Sequence, residues 1–389
     1  MPAPMRVAMI GNGFMGAAHS QGWRTAPRFF DLPATPEMAV MVGRDPNKNA
    51  QLASTWGWTE ASEDFAATIA RDDIDIVDIV TPGHLHCDMA IAALEAGKHV
   101  LCEKPLANTV EEARRMAAAA AAAAERGVFA MVGFTYRRIP AAAFARDLVA
   151  RGAVGTIRQV RAQYLQDWLS DPQAPLTWRM DKSKAGSGAL GDIGAHAVDL
   201  AQFITGSSLE SVSGIIETFV KERPMLGAGQ GLSGSVGDGT GPVTVDDYAS
   251  FSGRFASGAL GAFEATRFAT GHKNGLRIEV AGDRGAILFD LEDLNAVQYY
   301  DATAPATEQG FKRIIVTEAE HPYLSAWWPP GHLLGYEHGF VHQAKDFVEA
   351  IAAGEQPRPS FTEGYQVQRV LDAVERSAEA GSTWLTTAA

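Results

Sequence analysis

The chain has 389 residues, of which 46% are hydrophobic and 20% charged, and a formal net charge of −13. That length exceeds what one hydrophobic core ordinarily serves and fits two domains, while the acidic balance, without any Lys/Arg-rich run, argues against nucleic acid or an anionic membrane surface as a partner. No apolar run reaches the roughly 18 residues that would span a bilayer, and Cys87 and Cys102 are too few for a disulfide framework or a closed zinc site, so no metal is expected.

The opening "MPAPMRVAMIGNGFMG" enters a strand at once, which leaves no room for a signal peptide and predicts a cytoplasmic protein. From residue 5 to about 135, short apolar runs at 7–10, 38–42, 74–80, 99–102 and 128–132 alternate with stretches of helical spacing. Continuous apolar runs are the mark of parallel strands covered on both faces by helices, so the pattern predicts a doubly wound α/β domain. The alanine run at 117–124 predicts a packed helix, with Gly127 placed as its C-terminal glycine.

Beyond residue 137 the texture changes. In "IRQVRAQY", Val160, Ala162 and Tyr164 fall on one face and Gln159, Arg161 and Gln163 on the other; in "RIEV", Ile278 and Val280 oppose Arg277 and Glu279. Period-two alternation belongs to a sheet covered on one face only, so residues 137–389 are expected to form an α+β domain on an open, mostly antiparallel sheet. The Gly-rich stretch 226–242 reads as a mobile excursion, disordered or reaching a neighbouring subunit. Residues 335–384 read as two helices around "GEQPRPS".

Within residues 1–136, "VAMIGNGFMGAAHS" supplies Gly11, Gly13 and Gly16 as G-x-G-x-x-G between a strand and a helix. Gly11 allows the tight turn, Gly13 lets the backbone approach a pyrophosphate, and Gly16 permits helix to pack closely on strand. Phe14 and Met15, inside this loop, join the expected cofactor contacts. A site that prefers NAD usually carries an acid at the end of the second strand, where this chain has "MVGRDP" and Gly43 takes the position. Arg44 would suit the 2′-phosphate of NADP, and Asp45, one place late, would suit a ribose. Thr81, Pro82 and His86 follow the next strand at the carboxyl edge of the sheet, where doubly wound folds bind ligands.

Several motifs stand in an order that resembles the Gfo/Idh/MocA oxidoreductases, the glucose–fructose oxidoreductase and inositol dehydrogenase family: the glycine loop, "TPGHLH" at 81–86, "EKP" at 103–105, "GFTYRR" at 133–138, "GSGALGDIGAHAVDL" at 186–200 and "GYEHGFVHQAKDFVEAI" near the end. The resemblance implies an N-terminal Rossmann domain, a C-terminal open-sheet domain and NAD(P)-dependent hydride transfer at a sugar-like carbon. It matches the family's catalytic lysine to Lys104, commonly followed by a cis bond to proline, and its aspartate and histidine to Asp192 and His196. Chemistry agrees: Asp192 and His196 stand four apart on an expected helix, histidine titrates near neutrality, and an ammonium beside the reacting hydroxyl favours alkoxide character. Glu103 is assigned to the cofactor side of the same turn.

Tyr136, Trp168, Arg179 and His332 are candidates for the sugar, and Trp178 with Arg179 for the cofactor. "QYLQDW" and "WRMDKSKAGSG" look most similar to the branch of levoglucosan and glycoside 3-dehydrogenases, in which NAD is the usual oxidant. This pulls against Arg44, and NAD is chosen over NADP. The reading is a dehydrogenase of a secondary ring hydroxyl, with inositol oxidation, NADPH-dependent sugar reduction, an NAD-retaining glycosidase and a non-catalytic sugar sensor as alternatives. Resemblance implies a homodimer or homotetramer.

Overall fold

The apolar run that opens the chain becomes the central strand of a parallel sheet in a computed structural model, which describes residues 3–227 and 235–388. The chain divides into two compact units, Met1–Ile139 with Thr317–Tyr365, and Pro140–Val316 with Gln366–Ala389.

In the first unit β1 (Ala3–Ile10), α1 (Phe14–Phe29), β2 (Ala34–Val42), α2 (Pro46–Trp56), β3 (Glu60–Ser62), α3 (Phe65–Ile69) and β4 (Ile76–Ile79) are followed by α4 (His86–Glu95), β5 (His99–Cys102), α5 (Val110–Ala124) and β6 (Ala130–Val132). The strand order is β3-β2-β1-β4-β5-β6 and every pairing is parallel. β1 and β4 are neighbours although β2 and β3 intervene in sequence, so the order reverses there and opens the crevice where such sheets bind ligands. Val7, Met9, Ile76 and Leu101 are completely or almost completely buried, as strands covered on both faces require.

Local chemistry explains the helix ends. The side chain of Asp45 caps α2, and Thr109 with Glu112 forms a capping box at the start of α5. The alanine run is helical as expected; the helix gives way at Glu125, and Gly127 follows with φ +75°. β3 was not anticipated, because its three residues are largely exposed and carry no apolar signal.

The second unit begins with α6 (Pro140–Ala150), β7 (Ile157–Leu165), the short α7 (Lys182–Ala185), a π-helical turn at Leu190–Gly194 and α8 (Ala195–Thr205). Strands β8 (Leu209–Glu217), β9 (Glu222–Leu226), β10 (Val236–Pro242), β11 (Tyr248–Phe255), β12 (Leu260–Thr266), β13 (Gly275–Gly282), β14 (Gly285–Asp290), β15 (Ala296–Asp301) and β16 (Phe311–Ile315) follow. The chain then supplies α9 (His338–Ala353) to the first unit; α10 (Phe361–Glu379) begins in the first and ends in the second, and β17 (Leu385–Thr386) closes the sheet.

The nine-stranded order β16-β15-β14-β13-β7-β12-β11-β8-β17 is antiparallel except for β7 with β12. Val160, Ala162, Ile278 and Val280 are buried while Arg161 and Arg277 are exposed, so the period-two reading selects the covered face correctly. The Gly-rich stretch departs from expectation: β10 lies within it and pairs antiparallel with β9, while residues 228–234 lie outside the described residues. Glycine-rich sequence carries little apolar pattern, so pairing with β9 was not legible.

Thr317–Tyr365 belongs to the first unit because α9 packs on α1. A Cβ on Gly22 would lie 2.7 Å from the carbonyl oxygen of Phe340, so the two backbones meet where only glycine fits. Gly22→Ala is expected to lower stability by about 1–3 kcal/mol, even though alanine is the better helix former, and thermal denaturation checks this.

Candidate active site

The glycine loop joins β1 to α1 at the strand-order reversal. Gly11 has φ +114°, and a Cβ there would come within 3.0 Å of the Val80 carbonyl oxygen; one on Gly16 would lie 2.9 Å from the carbonyl oxygen of Gly11. Glycine is thus required at both positions for the turn and for helix to close on strand. A Cβ on Gly13 would meet nothing within 4 Å, and no side chain caps the N-terminus of α1. Open space beside uncapped helix N–H groups suits a pyrophosphate, so this loop fits a dinucleotide. Phe14 is 69% exposed and Met15 half-buried beside it.

At the end of β2, a Cβ on Gly43 would run into the hydrogen-bonded side chains of Asn12 and Asn49, so a side chain there would have to displace that pair. The Asp45 carboxylate accepts the backbone N–H groups of Asn47 and Lys48, both at 3.1 Å, and is engaged in capping α2. Arg44 is exposed.

After β4, Thr81 and Pro82 are half-buried and lead into a short turn before α4. The His86 ring is buried, with Nε2 2.8 Å from the Thr81 carbonyl oxygen and Nδ1 3.0 Å from that of Pro105. It thereby ties the turn after β4 to the turn after β5. Burial pulls its pKa below the ordinary histidine value despite these carbonyls.

β5 delivers Glu103, buried, and Lys104, half-buried, and the Lys104–Pro105 bond is cis. Glu103 Oε1 lies 3.0 Å from Nε2 of His19 on α1, and the other ring nitrogen of His19 lies 2.9 Å from Asp78 Oδ2 on β4. Trp23 Nε1 donates to the same Asp78 oxygen at 2.7 Å. Burial opposes charge on His19, but the Asp78 and Glu103 carboxylates outweigh it and raise its pKa to about 10. Sequence reading missed His19 and Asp78. The signal was an aspartate inside the apolar run "DIVDIV", since a charge buried in a central strand needs a partner.

Two further candidates belong to this unit. Tyr136 is buried, its ring edge-on to Tyr336 with centroids 6.3 Å apart. His332 is exposed, with Nδ1 2.8 Å from the carbonyl oxygen of Pro329, a local loop contact.

In the second unit, "GSGALGDIGAH" forms the π turn and the start of α8, so Asp192 sits on the wider turn and His196 on the first turn of the α-helix. The expectation of one continuous α-helix needs this correction; π turns recur at functional sites. Asp246 is buried and accepts the N–H groups of Gly188 at 2.6 Å and Leu190 at 2.7 Å, anchoring the start of the turn. Arg267, just past β12, donates from Nη2 to Asp192 Oδ2 at 2.8 Å. Its guanidinium is 1% exposed and stacks on the Trp168 ring at 5.3 Å.

His196 is buried, its ring edge-on to Tyr164 at 5.9 Å. The Tyr164 hydroxyl and the Gln166 amide both donate to Asn274 Oδ1, at 2.7 and 2.8 Å, and Trp168 Nε1 donates to Gln166 Oε1 at 2.9 Å. Arg179 lies over the Trp178 ring at 4.6 Å. Burial depresses its pKa, Asp192 raises it, and Arg267 lowers it further. The structure thus gathers Trp168, Arg179, Asp192 and His196 into connected groups within this unit. Arg267, Gln166, Asn274 and Asp246 were missed, because each takes its meaning from a partner distant in sequence.

A parallel dinucleotide sheet followed by an open sheet bearing an Asp–His turn defines an NAD-dependent oxidoreductase. Residues 5–134 match the model of an oxidoreductase family with an NAD-binding Rossmann fold, and residues 143–288 match the GFO/IDH/MocA C-terminal domain. The chain is 42% identical over 386 residues to levoglucosan dehydrogenase of Pseudarthrobacter phenanthrenivorans, covering 98% of this chain and 97% of that one. It therefore belongs to the Gfo/Idh/MocA family. Among solved structures, it is similar to an oxidoreductase domain protein from Kribbella flavida, with TM-score 0.95, 58% identity and full coverage of both chains. It is likewise similar to levoglucosan dehydrogenase in complex with NADH and levoglucosan, with TM-score 0.92, 41% identity, and coverage of 99% of this chain and 100% of that one.

Two outcomes are expected. Gly13→Val fills the open space before α1 and weakens NADH binding by about tenfold or more without unfolding the protein, as a fluorescence titration reads. Because the His19 pKa is raised to about 10, its stabilisation is complete below about pH 6.5 and is lost as pH rises through about 10. The difference in melting temperature between the parent and His19→Gln should narrow over that interval.

Proposed function

We propose that the protein oxidises a secondary ring hydroxyl, at C3, of a pyranoside or anhydrosugar such as levoglucosan to the keto sugar. The observation that carries this reading is similarity along essentially the whole chain to levoglucosan dehydrogenase, together with the solved complex of that enzyme with NADH and levoglucosan. Bound NAD supplies the hydride acceptor. His196 takes the hydroxyl proton, Lys104 polarises the oxygen, and Asp192 orients His196 or binds an adjacent hydroxyl, so that the carbon bearing that hydroxyl can become a carbonyl once its hydride is accepted. The Asp192–Arg267 contact supports a fixed carboxylate at that position, and the contact with Tyr164 supports a fixed ring at His196.

Trp168 and Arg179 with Tyr136 serve the sugar in this reading. Thr81, Pro82, His86 and Glu103 serve the cofactor pocket, His86 by holding two turns together. Assembly of copies through the open sheet is supported by Ile215, Leu260, Phe311 and Ile315, large apolar side chains exposed on its strands. No helix among the described residues is long and apolar enough to cross a membrane, which is compatible with a cytoplasmic enzyme.

A screen of levoglucosan, glucosides and inositols for NADH absorbance tests the reading, and levoglucosan or a glucoside should give net NADH. Release of aglycone without net NADH would sink it in favour of a glycosidase. Lys104→Ala should lower kcat by about a hundredfold or more and leave NADH affinity nearly unchanged. At equal concentration NAD should outperform NADP, and a tenfold preference for NADP would overturn the choice of oxidant.

A further inference from the structure

His19 lies outside the chemistry proposed above, yet it is the link between the helix that follows the glycine loop and the turn that carries Lys104. Its Nδ1 stands 2.9 Å from Asp78 Oδ2 and its Nε2 3.0 Å from Glu103 Oε1, with the ring 1% exposed. Two acceptors facing the two nitrogens of one ring are both satisfied when each nitrogen carries a proton, which makes the trio carboxylate, imidazolium, carboxylate. Glu103 Oε2 then accepts the backbone N–H of Lys104 at 3.1 Å. The Glu103 N–H donates to the Ile79 carbonyl at 2.8 Å, and that of Gly133 to the Cys102 carbonyl at 2.7 Å, so the strand ends around the carboxylate are pinned. A Cβ at Gly133 would lie 2.7 Å from Glu103 Oε1, and its absence leaves the space the carboxylate fills.

We propose that His19 is a positioning residue for Lys104: its doubly donating ring holds the Glu103 side chain in one rotamer, and Glu103 fixes the backbone at the lysine. The proposal rests on the reading of Lys104 as the amine at the reacting hydroxyl. His86, Cys102 and Tyr336, titratable neighbours of the trio, do not supply the positive charge. Burial lowers the pKa of His86 and raises those of the Cys102 thiol and the Tyr336 phenol, which leaves all three neutral, and the Phe340 ring covers His19 with centroids 5.4 Å apart. Without His19 two buried carboxylates face each other across a gap, and one takes up a proton or turns away. When Glu103 turns away, the Lys104 N–H loses its acceptor.

The test uses the full chain. In the parent at pH 8, nitrogen NMR of the imidazole should show both His19 nitrogens protonated; a neutral ring overturns the proposal, and this measurement stands even if variants fail to fold. In His19→Gln, whose single amide cannot serve both carboxylates, amide hydrogen exchange at Lys104 should accelerate about tenfold and kcat on levoglucosan should fall about tenfold, while the Kd for NADH changes less than about threefold. Unchanged exchange at Lys104 in folded His19→Gln, or NADH affinity falling in step with kcat, overturns it. Full activity in Lys104→Ala would sink the catalytic reading of the lysine alone, since the spectrum and the exchange rates do not depend on turnover.

Discussion

The first unit turns on the electrostatics of burying two carboxylates at the crevice of a parallel sheet. Asp78 is wholly excluded from water and Glu103 nearly so, an arrangement that is unfavourable unless a cation lies between them. α1 supplies that cation through His19 and a further donor through Trp23. The helix that follows the glycine loop is thereby bonded to β4 and to the turn after β5, while Gly11 and Gly16 shape the backbone of the loop itself. One ring thus balances two buried carboxylates and ties α1 to the sheet.

The second unit solves a similar problem with arginine. Arg267 is almost completely buried, shares Asp192 and lies against Trp168, while Asp246 secures the turn on which Asp192 stands. A guanidinium suits such a place because it stays charged, stacks on an aromatic face and presents donors in a fixed plane. Around His196 the aromatic and amide groups form a chain from Trp168 through Gln166 and Asn274 to Tyr164. Rigid placement of an acid–base pair comes from such supporting contacts more than from the pair itself.

Much of the fold was legible because it follows periodicity. The buried strands of the first sheet, the alternating strands β7 and β13 and the helices α9 and α10 each carry a repeating apolar pattern. β3 and β10 carry none, and only their pairing with β2 and β9 marks them as strands. The glycine loop was legible because every glycine has a local reason, whereas Lys104, Asp192 and His196 were singled out only because they fall within motifs that resemble a family. His19, Asp78, Arg267 and Asp246 were hidden for one physical cause. A buried charge is intelligible only together with its partner, and these partners lie on other strands and helices.

The place of α9 has a consequence for synthesis. α1 leaves the ribosome well before α9, yet the carbonyl group that Gly22 is shaped to receive belongs to Phe340 on α9. Since Thr317–Tyr365 belongs to the unit begun at Met1, that unit stays incomplete while the whole of Pro140–Val316 is translated. The nascent dinucleotide sheet therefore waits with the apolar face of α1 uncovered, and that interval is when chaperones or self-association have most to act upon.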